Sequence, residues 1–401
     1  MAERKKKRHI SFLHLKKYLI LPEFLREMKR LSIGGLSGGN NTRIIIDGDV
    51  CYDSFLADMK KAKKSINLET FVFRSDKIGW LITELLVEKA KAGVEVNVIY
   101  DAIGSIGASQ MMFNYMKRNG VEVIEYHPFL PWRKYFNITL RDHRKILVID
   151  GKIAYVGGIN IGKEYAGIKY NGGNWRDTHL RIEGPAVKEI QFFFIENWYR
   201  QGGSIIQFDL HFPAISKKGN TLLMIISTRS RKKIQPIIET YYSAISTAKK
   251  SIYITNAYFV PDRKMHHAIV KAAHRGVDVR ILVPGVTNIP IVKYASRYLY
   301  KYFLRHNVRI YEYQKSTLHA KTAVIDGVLS TIGSSNLDRQ SLYTNLEVNA
   351  TILDDRFGNR MNRIFMDDLR YSREINRDSF KRRHAKDFFL EWLSYRFRNI
   401  L

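Results

Sequence analysis

The chain has 401 residues, of which 45% are hydrophobic, so it is long enough for about two or three globular domains with a sizeable core. Its 66 basic residues against 38 acidic ones leave a net charge of +28, which predicts an anionic partner, either a membrane surface or a nucleic acid. The single cysteine, Cys51, excludes an internal disulfide and a zinc site built on several cysteines, and it is typical of a reducing compartment.

Residues 1–40 are predicted to form a basic amphipathic segment and a glycine-rich linker. A basic run at 4–8 leads into apolar residues at helical spacing, interleaved with lysines and arginines. Pro22 and these charges keep the apolar part well short of the ~20 residues that a membrane span needs, and they argue against a cleavable signal peptide. We expect the segment to lie in a membrane interface; the alternative is a helix packed on the protein's own core.

The next part of the chain alternates apolar strands with amphipathic helices. Strands are predicted at 43–46, 65–73, 94–100 and 121–126, and helices at 52–62 and 81–92. Glycine pairs at 34–35 and 38–39 predict the linker ahead of the first strand. Alternation of this kind indicates an α/β architecture.

One motif, built from a histidine, a lysine, an aspartate and an asparagine, occurs twice in the chain. The first copy contains His143, Lys145, Asp150 and Asn160, and the second contains His319, Lys321, Asp326 and Asn336 at the same offsets. Two matching constellations predict two half-sites that meet at one active centre.

Each copy has the pattern of a β-hairpin. Asp150-Gly151 and Asp326-Gly327 separate apolar, β-rich runs, as in a tight turn between two strands. Because side chains alternate along a strand, the histidine and lysine of each copy are expected on one face of it. The small pairs Gly157-Gly158 and Gly333-Ser334 predict places where the backbone approaches a ligand closely.

The two motifs belong to a longer internal repeat. The sequence at 62–66 recurs at 248–252, and that at 121–126 recurs at 308–313. We interpret this as a duplication, with each half a mixed β-sheet flanked by helices and the halves in a pseudo-twofold arrangement around one active site. The predicted divisions are 1–40, a first half over 41–215, a second half over 216–375 and a C-terminal segment over 376–401.

This set of side chains suits phosphoryl transfer at a phosphodiester. Two lysines and two asparagines, Asn160 and Asn336, can surround the non-bridging oxygens without a metal ion or a cofactor, so neither is predicted. One histidine can attack phosphorus to form a phosphohistidine, while the other protonates the leaving oxygen and then deprotonates the incoming hydroxyl. The residues alone leave open which histidine is the nucleophile.

Three further segments accompany the motifs. They are NLETF at 67–71, WRDTH at 175–179 with IEGP at 182–185, and NLDR at 336–339 with NLEVN at 345–349. Together with the paired His-x-Lys-x4-Asp motif, they make the chain resemble the phospholipase D superfamily and, within it, the bacterial cardiolipin synthases. The resemblance extends over roughly residues 41–375 and implies that both halves have the phospholipase D-like fold.

The resemblance also assigns roles to site residues. It implies that His143 is the nucleophile and His319 the acid and base, and that the acids Asp177 and Glu347 hold the Nδ1 protons of the histidines. The catalytic motif comprises His143, Lys145 and Asp150 in the first half and His319, Lys321 and Asp326 in the second. We expect the two aspartates to anchor the turns of their hairpins.

Aromatic and basic residues flank the motifs and end the chain. The loop at 127–135 suits the headgroup region of a bilayer. The tyrosine-rich stretch at 294–302, interleaved with basic residues, would suit stacking on nucleic acid bases. For any single tyrosine, packing of a helix is the better interpretation. Residues 376–401 form a second basic amphipathic segment. Because such segments occur at both ends, we expect a peripheral or monotopic protein on the cytoplasmic face of the cell membrane.

The resemblance implies one reaction in particular. The phosphatidyl group of one phosphatidylglycerol would be transferred to the glycerol hydroxyl of a second, giving cardiolipin and glycerol. The partners are then phosphatidylglycerol and an anionic phospholipid membrane, with no nucleic acid expected. Hydrolysis to phosphatidic acid, a donor such as phosphatidylethanolamine, and a nuclease or other phosphodiesterase of the same superfamily are the alternatives. A non-catalytic membrane-binding protein is disfavoured because both motifs are intact.

Overall fold

The computed structural model describes residues 32, 34–128, 132, 135, 137, 139–228, 235–287 and 289–398. The amphipathic part of the predicted segment 1–40 lies outside the described residues, and so does most of the aromatic and basic loop at 127–135. Among the described residues, no helix combines the length and the apolar character that crossing a membrane requires.

The strands form one continuous fifteen-stranded sheet. They are β1 Ser37–Ile45, β2 Ser65–Thr70, β3 Glu95–Asp101, β4 Glu122–Tyr126, β5 Ile146–Ile149, β6 Ile153–Gly157, β7 His179–Glu183, β8 Thr221–Ser227, β9 Ser251–Asn256, β10 Asp278–Pro284, β11 Arg309–Tyr313, β12 Lys321–Ile325, β13 Leu329–Gly333, β14 Val348–Leu353 and β15 Ser372–Glu374. Their order across the sheet is β15-β11-β10-β9-β12-β13-β14-β8-β1-β7-β6-β5-β2-β3-β4. Outward from the central pair β8 and β1, equivalent strands follow in the same order, with β15 added at one edge. The predicted pseudo-twofold duplication is confirmed.

Helices cover both faces of this sheet. They are α1 Gly48–Lys60, α2 Lys77–Lys91, α3 Gln110–Arg118, α4 Val187–Arg200, α5 Phe208–His211, α6 Pro236–Thr247, α7 Arg263–His274, α8 Pro290–Arg305, α9 Arg339–Tyr343, α10 Asp355–Leu369, α11 Arg377–Lys381 and α12 Ala385–Arg396, with a 3₁₀ turn at Ile168–Tyr170. Several helices begin at an N-cap aspartate. The side chains of Asp47, Asp76 and Asp262 accept hydrogen bonds from backbone N–H groups in the first turns of α1, α2 and α7, respectively.

The two halves share part of their hydrophobic core. In each half three parallel strands, β2-β3-β4 or β9-β10-β11, continue into an antiparallel group. One buried cluster contains Ile146 and Val156 from the first half and Ile332 and Val348 from the second. Fully burying one such aliphatic side chain contributes roughly 1.5–3 kcal/mol, so this cluster holds the halves firmly together.

Two details differ from the sequence-based expectation. Gly38 and Gly39 lie inside β1 rather than in a linker, because β1 pairs with β8 of the second half. His143 and Lys145 precede β5, which begins at Ile146, whereas Lys321 is the first residue of β12. The stretch that carries His143 does not belong to a regular strand. An isolated parallel β-bridge between Asp142 and Leu346 of the other half holds it in place.

Candidate active site

Both motifs open into one cavity of about 640 Å³ between the halves. Its walls include Phe71, Arg74, His143, Asn160, Tyr165 and Trp175 from the first half and Tyr258, Val292, His319, Asn336, Asp338 and Asn345 from the second. Both histidines are buried at its floor. The convergence of two half-sites, expected from the repeated motif, is therefore present in the structure.

Each histidine is paired with an acid from the opposite half. Nδ1 of His143 lies 2.9 Å from Oε1 of Glu347, and Nδ1 of His319 lies 2.6 Å from Oδ2 of Asp177. The two acids are those expected from the sequence, but the sequence did not show that the pairs are crossed. With Nδ1 engaged, Nε2 of each imidazole is the nitrogen available for chemistry at phosphorus or for proton transfer.

Short backbone contacts between the halves produce this crossing. The N–H of His143 donates to the carbonyl oxygen of Leu346 at 2.9 Å, one residue before Glu347. The N–H of His319 donates to the carbonyl oxygen of Arg176 at 2.8 Å, one residue before Asp177. These isolated parallel bridges bring each imidazole to an acid of the other half.

The motif lysines are buried beside the histidines. Nζ of Lys145 donates to the carbonyl oxygen of His143 at 2.6 Å, and Nζ of Lys321 donates to that of His319. Burial lowers the pKa of Lys145 to about 7 and that of Lys321 to about 8, although Glu347 and Asp177 oppose the shift. An incoming phosphate would favour the ammonium forms, so both lysines can neutralise its charge.

The two dyads differ in charge. Burial, and then Lys321, lower the pKa of His319 to about 3, while burial and the two lysines hold the pKa of His143 well below its usual value. Burial raises the pKa of Glu347 to about 8. For Asp177 burial also favours the neutral form, but His319 and Lys321 outweigh it and lower the pKa of this carboxyl. Near pH 7 both imidazoles are therefore neutral and Asp177 is ionised.

Gly158 and Ser334, the second members of the two small pairs, lie against these acids, and neither pair lines the cavity, which corrects the expectation from the sequence. A Cβ on Gly158 would lie 2.1 Å from Oδ1 of Asp177. At the equivalent position of the second half, Oγ of Ser334 donates to Oε2 of Glu347 at 2.5 Å. A larger side chain at either position would displace the acid that holds a histidine.

The motif asparagines lie in the cavity wall. Oδ1 of Asn160 accepts from the N–H of Val72 at 3.1 Å, and its buried Nδ2 has no partner among the described residues. This donor, beside the hydroxyl group of Tyr165, suits a phosphate oxygen. In Asn336 the buried Oδ1 has no such partner in the described chain. A half-turn of that amide would present its N–H groups to a ligand instead.

The motif aspartates lie at the hairpin turns, and neither lines the cavity. The carboxylate of Asp150 accepts from the N–H groups of Lys64 and Ser65 at 2.7 and 3.0 Å. That of Asp326 accepts from Lys250 and Ser251 at 2.7 and 3.0 Å. Both aspartates have positive φ, 53° and 55°. The two aspartates thus connect each hairpin turn to the start of β2 or β9, in agreement with the anchoring role expected from the sequence.

Several wall residues were not singled out as site residues from the sequence. The ring of Phe71 packs edge-on against His143 at 4.9 Å, and Tyr165 and Trp175 lie 5.3 and 5.6 Å from the ring of His319. Asp338 lines the cavity, and burial raises its pKa to about 7. Phe71, Trp175 and Asp338 fall in the segments that carry the family resemblance, which was the available signal.

Within the described residues, no group of three or more histidine, cysteine or acidic side chains is placed to hold a metal ion. The two motifs and their orienting acids bring two imidazoles, two ammonium groups, two carboxyls and two amides to the cavity or directly behind its wall. This arrangement can bind a phosphodiester and move protons on opposite sides of it.

A duplicated α/β fold with paired histidine and lysine motifs at the junction defines the class of phospholipase D-like proteins. The crystal structure of phosphatidylserine synthase from Haemophilus influenzae Rd KW20 shares the fold, with a TM-score of 0.72 and 12% identity over 94% of this chain and 99% of that one. A family model described as "Cardiolipin synthase, PLD-like domain" matches residues 55–189 and 241–369.

Sequence relatives are much closer. Cardiolipin synthase of Geobacillus kaustophilus is 38% identical over 364 residues, which cover 90% of this chain and 72% of the relative. Cardiolipin synthase 2 of Bacillus cereus is 37% identical over 359 residues, 88% of this chain and 69% of the relative. The chain belongs to the cardiolipin synthase family of phospholipase D-like proteins.

Proposed function

We propose that the protein transfers the phosphatidyl group of one phosphatidylglycerol to a second, forming cardiolipin and releasing glycerol. The observation that carries this is the pair of crossed histidine–acid dyads, with two lysines, at the floor of one cavity. The relatives are named cardiolipin synthases, which supports cardiolipin as the product.

In the first step Nε2 of His143 attacks phosphorus, the P–O bond to glycerol breaks, and His319 gives its proton to the leaving oxygen. In the second step the glycerol hydroxyl of another phosphatidylglycerol attacks, His319 takes its proton, and the P–N bond breaks. Lys145, Lys321 and the two motif asparagines hold the non-bridging oxygens. Because both imidazoles are neutral in the free site, His319 takes up this proton when the anionic phosphodiester binds. The ionised Asp177 raises the pKa of His319 against burial and Lys321 and stabilises the imidazolium that forms, which supports this assignment of the two histidines.

The proposed organisation follows from the same features. The halves over 41–215 and 216–375 each supply one histidine and one orienting acid, and the terminal segments over 1–40 and 376–401 bring the cavity to the cytoplasmic face of the membrane. Peripheral binding to anionic lipid suits the net charge of +28.

The test uses purified protein with phosphatidylglycerol vesicles and follows the lipid products by mass spectrometry. Wild type should form cardiolipin and glycerol, whereas His143→Ala and His319→Ala should form neither. The control is His274→Ala, which changes an exposed histidine outside the cavity. Phosphatidic acid as the sole product would mean a hydrolase, and no lipid turnover would redirect the search to nucleic acid substrates.

A further inference from the structure

The C-terminal helix α12 packs against the protein through its polar side. Its buried residues are Glu391 and Ser394. Five large apolar side chains face outward, with 37–56% of their surface exposed: Phe388, Phe389, Trp392, Leu393 and, just beyond the helix, Phe397. An amphipathic helix of a globular protein normally turns its apolar side to the core. This helix does the reverse and presents a contiguous aromatic surface.

Buried ion pairs set this orientation. Glu391 accepts from Nε of Arg297 at 3.2 Å, on α8, and from Nε of Arg383 at 2.9 Å, just ahead of α12. Arg297 is in turn paired with Glu312 at 2.7 Å. The rings of Tyr298 and Tyr395 stack at 4.5 Å beside these pairs. Because turning Glu391 away would leave Arg383 without an ion-pair partner among the described residues and remove one of the two partners of Arg297, the helix is held with its aromatic side outward.

A cavity of about 620 Å³ lies between α7, α8 and α12, beside the aromatic surface. This basic pocket is lined by Arg263, His266, His267, Lys301, Arg305 and Arg383, together with aromatic rings that include Phe388 and Tyr395. No acid lines it among the described residues. Arg383 is engaged by Glu391, whereas Arg263, Lys301 and Arg305 form no ion pair within the described part of the chain.

His266 provides a second, independent indication that the basic pocket binds a ligand. Its side chain is buried, with 7% of the residue exposed, and its Nε2 has no hydrogen-bond partner among the described residues. An unpaired buried ring nitrogen beside three uncommitted cations fits a ligand that carries a phosphate and a hydroxyl group.

We propose that the basic pocket binds the phosphodiester headgroup of an anionic phospholipid while the outward side of α12 enters the bilayer. A lipid combines, in one molecule, the anion that suits the cations and the apolar chains that suit the aromatic surface. The inference rests on the proposed function in one respect, since the bilayer that supplies the substrate would also supply this headgroup.

The position of α12 links this contact to the catalytic cavity. Tyr395 of the basic pocket packs on the cluster of Val260, Val292 and Ala295, and Val292 also lines the catalytic cavity. The basic pocket is nevertheless separate, since Tyr302 lies ten residues beyond Val292 on α8, about 15 Å along the helix. Docking through α12 would thus bring to the membrane a helix that packs directly against a wall residue of the catalytic cavity.

The test measures cosedimentation of the full chain with phosphatidylcholine vesicles, with and without phosphatidylglycerol. Lys301→Ala combined with Arg305→Ala should weaken binding to the phosphatidylglycerol vesicles roughly 25-fold, because each basic side chain near an anionic surface contributes about a fivefold factor. The control, Arg360→Ala with Arg363→Ala on exposed positions of α10, removes the same charge and should change binding less than about twofold.

A second variant tests the aromatic surface. Phe389→Glu with Trp392→Glu should lower binding to both kinds of vesicle, whereas Ile205→Glu, at a position 93% exposed on another part of the chain, should not. Equal losses in variants and controls would overturn the proposal. So would a change of oligomeric state with unaltered vesicle binding, which would mark a contact between copies, or binding of inorganic phosphate in the basic pocket without any effect on vesicles.

Binding and chemistry are read out separately. The same sedimentation is carried out with His143→Ala, which should bind vesicles as wild type does. Absence of cardiolipin formation by wild type would refute the proposed function and leave the sedimentation results standing. Unchanged sedimentation of the basic-pocket variant would refute the headgroup site and leave the reaction untouched.

Discussion

Glu347 lies 2.9 Å from Nδ1 of His143, although the two residues belong to opposite halves of a duplicated chain. Asp177 and His319 repeat the relationship in the other direction at 2.6 Å. Neither half therefore contains a complete histidine–acid dyad. The chemistry of each imidazole depends on contact between the halves, including the backbone bridges beside Leu346 and Arg176.

Removing either acid should slow the reaction without removing substrate binding. Glu347→Gln and Asp177→Asn should each lower kcat about 10²- to 10⁴-fold, because an amide no longer favours the tautomer and the imidazolium that transfer requires. Steady-state formation of cardiolipin measures this. Glu374→Gln, at an exposed acid of β15, is the matched control. A loss below about tenfold would show that the crossed pairs do not orient the histidines.

The lysines predict the alkaline side of the pH profile. kcat/KM reports the free enzyme, in which Lys145 loses its charge as pH rises through about 7 and Lys321 as it rises through about 8. Glu347 becomes negative over the same interval. kcat/KM should therefore fall from about pH 7 to 8 upward. The kcat profile should extend to higher pH, because bound phosphate raises the pKa of both lysines.

Profiles of kcat/KM with phosphatidylglycerol provide the check. A profile that stays flat up to the ordinary lysine pKa of about 10.4 would contradict buried, shifted lysines. The variant Lys145→Arg provides a second check, because its guanidinium keeps its charge at these pH values. The alkaline limb of its kcat/KM profile should therefore move toward the pKa of Lys321.

The residue pairs behind the acids predict two different mutant effects. Gly158→Ala places a methyl group against the Asp177 carboxylate and should reduce kcat about as much as Asp177→Asn does. Ser334→Ala only removes one hydrogen bond to Glu347 and should cost about tenfold or less. Comparable kcat values for Gly158→Ala and wild type, with unchanged melting temperature, would show that Asp177 does not need this space.

The motif aspartates should affect stability more than chemistry. Asp150→Ala and Asp326→Ala each remove charge-assisted bonds to backbone N–H groups and should lower the free energy of unfolding by about 2–4 kcal/mol. Denaturant unfolding measures this loss. Activity per folded molecule should stay within about tenfold of wild type. A drop in kcat as large as that of His143→Ala, at unchanged stability, would instead give these carboxylates a direct part in the reaction.

Local sequence patterns predict much of the architecture. Alternation of apolar residues predicts the strands, Asp150-Gly151 and Asp326-Gly327 predict the hairpins, and the repeat predicts the pseudo-twofold arrangement that the strand order confirms. These features depend on residues that are neighbours in the chain, so the period of the side chains and the chemistry of the turns suffice.

Other features depend on contacts between distant segments, and only the tertiary structure decided them. The amino-acid pattern shows that Asp177 and Glu347 are suited to hold an imidazole, but the packing of the halves decides which imidazole each one meets. The spacing in α12 shows that it has an apolar side, whereas the pairing of Glu391 with Arg297 and Arg383 turns that side outward. A helical period determines which residues share a face, and long-range packing determines what that face meets.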